Sequence, residues 1–391
     1  MSAEVISLGC RLNISESEKM RGLLAEADDL VVVNSCAVTN EALRQTRRAI
    51  RRARRARPDA RLLVTGCAAE TDRAMLAAMP EVDGLVANSE KLDPRRWNVA
   101  AVSIAGSSER YSRAFVQAQN GCDHACTFCV IPQGRGPARS LSAEAVCEQV
   151  AREADRGVNE VVLTGVDLTS WGGDLPGKPA LGALVESVLA RVPSLPRLRL
   201  SSIDGAEIDQ RLFDLLAHEP RLMPHVHLSL QSGDDMILKR MKRRHLRADA
   251  LRLVTRLRAT RPDLAVGADL IAGFPTETEA MHRNSLALIA ELRIVHGHIF
   301  PYSARAGTPA ARMPQVDPAT IKRRARELRE AVATERAEWL ASLLGQPQQV
   351  LVERGGTGHS PAFAPVRVTR NAPIGDIVSI TPTRIEDGIL A

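Results

Sequence analysis

Along the chain, short apolar runs alternate with longer stretches in which apolar residues recur at helical spacing. Residues 4–8, 30–34, 61–65 and 84–87 read as strands, and 15–26, 41–57 and 71–79 between them as helices. This strict βα alternation predicts a doubly wound parallel sheet over residues 1–95. Residues 96–112 carry a weaker pattern and read as a connection. A longer series follows, with strands expected at 114–118, 160–164, 198–201, 226–230, 266–271 and 296–300. Helices are expected at 141–157, 181–191, 210–218, 248–260 and 279–291. Six parallel strands over 113–317 predict a partial, TIM-like (β/α)6 barrel, with chemistry on the loops at the carboxyl ends of its strands. A charged helix, 320–344, makes 318–346 a connecting segment. Beyond it, runs at 349–353, 365–368 and 377–380, separated by Gly- and Pro-containing turns, predict a small antiparallel, β-barrel-like appendage over 347–391 suited to binding.

Composition narrows the class. The 391 residues, 45% of them apolar, suffice for two to three domains. The first ten residues begin a strand and lack the basic start and apolar stretch of a signal peptide, and no run is long enough to span a bilayer. Seven cysteines, an odd number, argue against a secreted disulfide scaffold, so reduced thiols and a cytoplasmic location are expected. A net charge of +6 points weakly to an anionic partner, and its distribution says more than its total. Arg44, Arg47, Arg48, Arg51, Arg52 and Arg55 follow helical steps, with Arg54 and Arg57 widening the stripe. A second basic cluster, 239–247, holds Lys242, Arg243 and Arg244. Each reads either as a solvated helix face or as an RNA-facing surface. Aromatic residues at 3% argue against a base-stacking platform.

The cysteines carry the chemistry. Cys122, Cys126 and Cys129 form a C-x3-C-x2-C loop just after the first barrel strand. Three thiolates so spaced hold three corners of a four-iron cluster and leave one iron open to bind and activate a ligand. Free Cys is often core filler, but three in eight residues beside Gly121, Asp123, His124 and Pro132 are not distributed that way. Zinc sites draw four ligands from paired clusters, and His124, inside the loop, is poorly placed to close a tetrahedron. Cys10, Cys36 and Cys67 each follow one of the first three strands. The carboxyl ends of parallel strands share one edge, so these three are expected to converge and hold a second cluster with its own open iron. Cys147 lies on a predicted helix and reads as a core thiol.

The stretch Gly121-Cys-Asp-His-Ala-Cys-Thr-Phe-Cys-Val-Ile-Pro-Gln-Gly-Arg-Gly-Pro-Ala-Arg-Ser140 resembles the radical S-adenosylmethionine (SAM) loop of the methylthiotransferases. Within them it is most similar to the branch acting on N6-threonylcarbamoyladenosine in tRNA. Leu8-Gly-Cys-Arg-Leu-Asn13, Asn34-Ser-Cys-Ala-Val-Thr-Asn40, Thr65-Gly-Cys-Ala68, Leu228-Ser-Leu-Gln-Ser-Gly-Asp-Asp235, Lys239-Arg-Met-Lys-Arg-Arg-His245, Asp269-Leu-Ile-Ala-Gly-Phe-Pro-Thr-Glu277 and Pro301-Tyr-Ser-Ala-Arg-Ala-Gly-Thr308 extend the resemblance end to end. Ser35 stands where that family often has Thr.

The resemblance implies a methylthiotransferase domain at 1–95, a radical SAM domain at 113–317 and a TRAM-like RNA-binding appendage at 347–391. It implies two 4Fe-4S clusters facing each other across the domain junction. The cluster on Cys122, Cys126 and Cys129 would cleave SAM to a 5′-deoxyadenosyl radical, and the cluster on Cys10, Cys36 and Cys67 would hold a sulfide. A first SAM would methylate that sulfur; a second would yield the radical that opens carbon 2 of the adenine, next to the anticodon, to methylthio transfer. The partners implied are tRNA, a flavodoxin-type electron donor and a sulfur donor, with no membrane.

For SAM, Thr164 and Gly165 are placed to meet the amino group through backbone carbonyls, and Ser229 and Gln231 are candidates for the ribose hydroxyls. The last two equally read as a satisfied polar pair in the barrel. Gly273 either admits the adenine or marks a bulge or turn. His225 and His227 share a strand face and read as barrel wall, with metal binding as the alternative. Asp269 and Glu277 read as polar support of SAM or RNA, since radical abstraction needs no general base, and no catalytic residue is assigned beyond the cysteines. The rival readings are a sister methylthiotransferase acting on isopentenyladenosine or a ribosomal-protein aspartate, a non-catalytic iron–sulfur RNA-binding or electron-transfer protein, and a zinc-dependent nucleic-acid-binding module.

Overall fold

A computed structural model describes residues 3–98, 112–368 and 372–391, so most of the connection expected at 96–112 lies outside the described residues. The chain divides into two compact units that cut across its order. One comprises Met1–Glu109, Asn120–Arg139 and Ser303–Thr308; the other Arg110–Gln119, Ser140–Tyr302 and Pro309–Ala391.

In the first unit β1 (Glu4–Ser7), β2 (Leu30–Ser35), β3 (Arg61–Gly66) and β4 (Gly84–Leu85) form a parallel sheet in chain order. All six residues of β2 are buried, as its unbroken Leu-Val-Val-Val run requires of a central parallel strand. Side chains alternate between the faces. Val5, Val32 and Leu63 pack with Met20 and Leu23 of α1 (Arg11–Leu23), whereas Val31, Val33, Leu62 and Val64 pack with Ile50 and Ala53 of α2 (Asn40–Ala56). Helices therefore cover both faces, as the doubly wound expectation demands. The Thr39 hydroxyl caps α2 by accepting the Ala42 N–H at 3.1 Å, and Arg54 and Arg55 sit in its last turn, where the helix dipole favours cations. Two helices depart from the expected limits. The first starts at Arg11 rather than at residue 15, because Cys10, in extended conformation, is its N-cap. The helix expected at 71–79 breaks at Asp72 into α3 (Cys67–Thr71) and α4 (Arg73–Ala77). There the Asp72 carboxylate accepts the Thr71 hydroxyl and Arg305 Nη2, each at 2.7 Å, which fixes the turn. A further short helix of this unit, α5 (Ile131–Arg135), follows Cys129.

The second unit holds two three-stranded parallel sheets, β5 (Ala114–Gln117), β6 (Glu160–Thr164), β7 (Arg197–Leu200) and β8 (His225–Gln231), β9 (Ala265–Ala272), β10 (Ile294–Pro301). An isolated bridge, Ile203 to Leu228, links one sheet to the other, which gives the six-stranded partial barrel. Outside lie α6 (Ala143–Asp155), α7 (Leu181–Arg191), α8 (Gln210–His218), α9 (Asp235–Met241), α10 (Arg247–Thr260) and α11 (Glu279–Leu292). Val226, Leu228, Val266 and Ala268 pack outward with Val254 and Leu257 of α10 and Leu288 of α11. The alternating set, His225, His227, Ser229 and Asp269, consequently faces the lumen. Closed barrels fill that space with branched apolar residues; this one is polar.

At the amino ends of the strands the fully buried Glu160 receives Arg113 Nε at 2.8 Å and both Nε and Nη2 of Arg199 at 3.2 Å. The appendage closes this end. After α12 (Pro318–Ser342) come β11 (Gln348–Glu353), β12 (Thr357–His359), β13 (Pro365–Arg367), β14 (Ile377–Ile380), β15 (Ile385–Glu386) and β16 (Ile389–Leu390), in sheet order β14–β11–β12–β13–β16–β15. The pairing is antiparallel as expected, except that β13 meets β16 in parallel. The Phe363 ring stacks on His359 and His225, with centroids at 4.3 and 5.5 Å, and Arg199 Cζ lies 4.8 Å from its centre. Arg197 Nη2 donates to the Gln349 carbonyl at 2.7 Å and Arg113 Nη2 to Glu353 at 2.5 Å. Among the described residues no helix is long and apolar enough to cross a membrane.

Burial works against the Glu160 charge, but Arg199 and Arg113 outweigh it and hold its pKa at about 2. A carboxylate depressed in the fold adds stability that is full above its ordinary pKa near 4.5 and is lost as pH falls toward 2. Glu160→Gln removes the only carboxylate that Arg199 bonds among the described residues and one of the two that Arg113 bonds, and we expect it to cost about 3–5 kcal/mol, read as a lower denaturant midpoint at neutral pH. The gap between variant and parent should narrow as pH falls below 4.5.

Candidate active site

Cys10 follows β1, Cys36 follows β2, and Cys67 opens α3 directly after β3. The structure brings the three together at the carboxyl edge of the sheet, with Cys10 exposed and the other two buried. Two glycines make the room. Gly9 (φ +92°) has no space for a Cβ, which would lie 2.6 Å from Cys36 Cβ; at Gly66 (φ +89°) it would lie 2.4 Å from the Ser35 carbonyl oxygen. The Ser35 hydroxyl donates to the Thr65 carbonyl at 2.5 Å and accepts the Ala68 N–H at 3.2 Å, tying the ends of β2 and β3. Burial, reinforced by the neighbouring Cys67 and Cys10, pushes the Cys36 thiol up to about 11, against the Val38 N–H and Arg135; burial also raises Cys67. A metal taking these sulfurs displaces their protons. Three sulfur donors around a cradle that a single Cβ would fill suit an iron–sulfur cluster.

The second triad lies in the same unit. The Cys122 N–H donates to the Gly136 carbonyl at 3.1 Å, and a Cβ on Gly121 would fall 1.8 Å from the Pro137 oxygen, so the loop closes tightly on itself. The N–H groups of His124 and Ile131 point at Cys122 Sγ and Cys129 Sγ, both at 3.4 Å, the kind of hydrogen bond that tunes cluster potentials. The α5 helix then runs against the first triad. A Cβ on Gly134 would sit 3.1 Å from Cys67 Cβ, and Asn88 Nδ2 donates to the Gly134 carbonyl at 2.6 Å.

Beside the first triad is a buried ion cluster that sequence reasoning missed. Arg135 donates to the two Glu16 oxygens at 3.0 and 3.1 Å, and Lys91 Nζ lies 2.6 Å from Glu16 Oε2. Burial opposes the Glu16 charge, and Lys91 and Arg135 outweigh it, holding the carboxyl below the usual range. Burial lowers the Lys91 pKa against the pull of Glu16. For Arg135 burial is outweighed by Glu16 and Cys67, so its pKa rises. Arg135 stood inside a motif already singled out, but Glu16 and Lys91 lie 75 positions apart on amphipathic stretches and gave no signal.

The proposed SAM residues lie in the second unit. Thr164 ends β6, and its carbonyl accepts the Ala118 N–H at 2.9 Å. Gly165 packs on Gln119, whose Oε1 would be 3.0 Å from a Cβ. Ser229 and Gln231 do not pair with each other. The Ser229 hydroxyl meets that of Ser202 at 2.8 Å, while Gln231 (φ +68°) follows a slip in register after Leu228. Gly273 (φ +71°) answers to packing, because a Cβ there would meet Ile321 Cγ1 of α12 at 2.6 Å. Asp269 and Glu277 serve separate networks. Asp269 Oδ1 meets His227 Nε2 at 3.0 Å and His298 Nδ1 at 3.1 Å, and despite burial these imidazoles hold its pKa well below the usual range. Glu277 accepts the Gly273 N–H and Arg324 Nη1, each at 2.9 Å, and burial pushes it up to about 6 although Arg324 opposes. His225 is barrel wall against Phe363, and Cys147 is buried in the core, as expected.

Of the basic clusters, Arg48, Arg51 and Arg55 are exposed and Arg47 is half-buried. Arg54 and Arg57 leave the stripe, Arg54 bonding Asp83 and the Glu81 carbonyl and Arg57 reaching Asp29. Arg243 is also turned inward, donating to Asp204 and the Ser229 carbonyl at 2.8 Å, and Arg244 pairs with Glu207 at 2.5 Å. The acids that compensate this cluster lie some forty positions upstream, beyond the reach of local charge counting. Lys242 is exposed at the end of α9.

A partial α/β barrel and a thiol-edged parallel sheet together define an iron–sulfur radical enzyme with an accessory domain. Comparisons with known proteins agree. The Radical SAM superfamily model matches residues 116–289, and the model described as uncharacterized protein family UPF0004 matches 2–87. A threonylcarbamoyladenosine tRNA methylthiotransferase MtaB of Rickettsia prowazekii is 45% identical, covering 99% of this chain and 96% of its own. Its namesake in Thermotoga maritima is 33% identical over 90% and 86%, and a tRNA-2-methylthio-N(6)-dimethylallyladenosine synthase of Erythrobacter litoralis is 33% identical over 96% and 93%. Among solved structures, the radical SAM methyltransferase TsrM of Kitasatospora setae shares the fold, with TM-score 0.56 and 16% identity over 80% of this chain and 77% of that one. The chain belongs to the radical SAM methylthiotransferase family, in the MtaB branch.

Gly66→Ala, which forces a Cβ into the Ser35 backbone, should empty the first cysteine site alone. Iron on anaerobic reconstitution is expected to fall from about eight to about four per chain, as loss of one of two four-iron sites requires.

Proposed function

We propose that the protein is a tRNA-modifying enzyme that adds a methylthio group to carbon 2 of N6-threonylcarbamoyladenosine next to the anticodon. The observation that carries this is 45% identity over 99% of the chain to a relative named for that substrate, on a chain six of whose seven cysteines fall into two triads. In this reading residues 1–95 form the methylthiotransferase domain, 113–317 the radical SAM domain, 318–346 the connecting helix and 347–391 a TRAM-like appendage.

Cys122, Cys126 and Cys129 would hold one 4Fe-4S cluster, and Cys10, Cys36 and Cys67 the other. When bound, the first supplies the electron that cleaves SAM and the second a site for the transferred sulfur. The chain's own part is placement. The N–H groups of His124 and Ile131 orient two of the sulfurs, and Gly9 and Gly66 leave the other site its room. Gly165 and Thr164, with Ser229 and Gln231, remain our candidates for SAM, whereas Gly273 is accounted for by α12. The exposed Arg48, Arg51, Arg55 and Lys242, with Arg47 and Arg244, are proposed to meet RNA phosphates. A cytoplasmic setting with a flavodoxin-type reductant and a separate sulfur donor completes the reading.

Mass spectrometry of nucleosides from a deletion strain complemented with this chain tests it. The 2-methylthio derivative of threonylcarbamoyladenosine should appear with the parent and vanish with Cys10→Ala or Cys126→Ala. Appearance of the methylthio isopentenyl nucleoside instead would assign the chain to the sister activity. Replacing Arg47, Arg48, Arg51 and Arg55 together should weaken tRNA binding and flatten its salt dependence, because counterion release scales with phosphate contacts. An unchanged slope would leave that stripe to solvent.

A further inference from the structure

Three buried charges in the first unit do not cancel. The side chains of Arg135, Lys91 and Glu16 are each 2% exposed, and the two cations share the one carboxylate. Among the described residues their other side-chain partners are neutral. Arg135 also donates to Asn13 Oδ1 at 2.5 Å and Asn120 Oδ1 at 2.9 Å, and Lys91 to Asn34 Oδ1 at 3.4 Å. Ions removed from water persist only when compensated, so two cations against one anion leave a positive charge to be met from elsewhere. What lies beside them is the first cysteine triad: Arg135 follows Gly134, where a Cβ would sit 3.1 Å from Cys67 Cβ, and the Asn13 that accepts from Arg135 donates at 3.1 Å to the Ser35 carbonyl, next to Cys36. A four-iron core on three thiolates is a net anion, more so once reduced, and local charge is one of the factors that set its potential.

We propose that Arg135 and Lys91, held by Glu16, are positioning residues that supply the counter-charge of the cluster on Cys10, Cys36 and Cys67 and raise its reduction potential. The inference rests on the two-cluster reading above. Because Arg135 is carried by the helix that follows Cys129, the loop of one triad would thereby set the electronics of the other.

The test uses the full chain with Cys122, Cys126 and Cys129 replaced by Ala, reconstituted anaerobically, so that the remaining cluster is titrated alone by electron paramagnetic resonance. Arg135→Gln and Lys91→Met should each shift its midpoint potential downward, Arg135→Lys should leave it near the parent value, and Glu16→Gln should shift it upward. Lys91→Met keeps the one-to-one pair of Glu16 with Arg135, so it reports even if Arg135→Gln misfolds. A purely structural role would instead move all the variants the same way, or change iron content without changing potential, and either result overturns the proposal. Absence of iron in the starting variant would overturn the two-cluster reading beneath it.

Discussion

The Glu16 carboxylate is the point on which the candidate site depends. It takes Arg135 from the helix after Cys129 and Lys91 from the segment after β4, while its own helix has Cys10 as N-cap. Asn13, one turn earlier, bonds the Leu8 and Ser35 carbonyls and receives Arg135. The carboxyl ends of β1 and β2 and the C-x3-C-x2-C loop are thus tied through two neighbouring side chains. Charged groups so deeply buried cost several kcal/mol each unless their partners are in place. The geometry of the thiol edge is therefore specified, and a displaced loop would leave ions without partners.

The second unit uses the same device at the opposite end of its strands. Glu160 gathers Arg113 and Arg199, and Phe363 of the appendage lies over the guanidinium of Arg199. The appendage is consequently part of the barrel's electrostatics as well as an attached module. With the amino end occupied by these groups, the polar residues farther along β8 and β9, Ser229 and Asp269, look toward the carboxyl end. That is the end where the SAM candidates Thr164 and Gly165 lie.

Much of this was legible in the sequence, and the reasons differ from part to part. Strand 160–164 and helices 181–191 and 210–218 match the observed limits because apolar periodicity and Asp or Gly punctuation are local signals. The meeting of Cys10, Cys36 and Cys67 followed from topology, since parallel strands deliver their ends to one edge whatever the intervening length. Compensation across the chain was not legible. Arg243 read as part of a basic surface, whereas it bonds Asp204, and the packing of Ile321 against Gly273 had no local signal. Both depend on residues dozens of positions away, brought close by folding alone.

The interleaving of the two units has a consequence for how the protein is made. Residues 3–98 carry the sheet and helices α1 to α4, but Arg135 and the Arg305 that bonds Asn40 and Asp72 are made later. At that stage Glu16 has Lys91 alone, and the cleft beside Cys67 lacks the helix that covers it. Domains generally fold as units in the order of synthesis; this one closes only after the segment Ser303–Thr308 has emerged. The thiol edge is thus completed only by segments that follow it in the chain, the last of them beyond all six barrel strands.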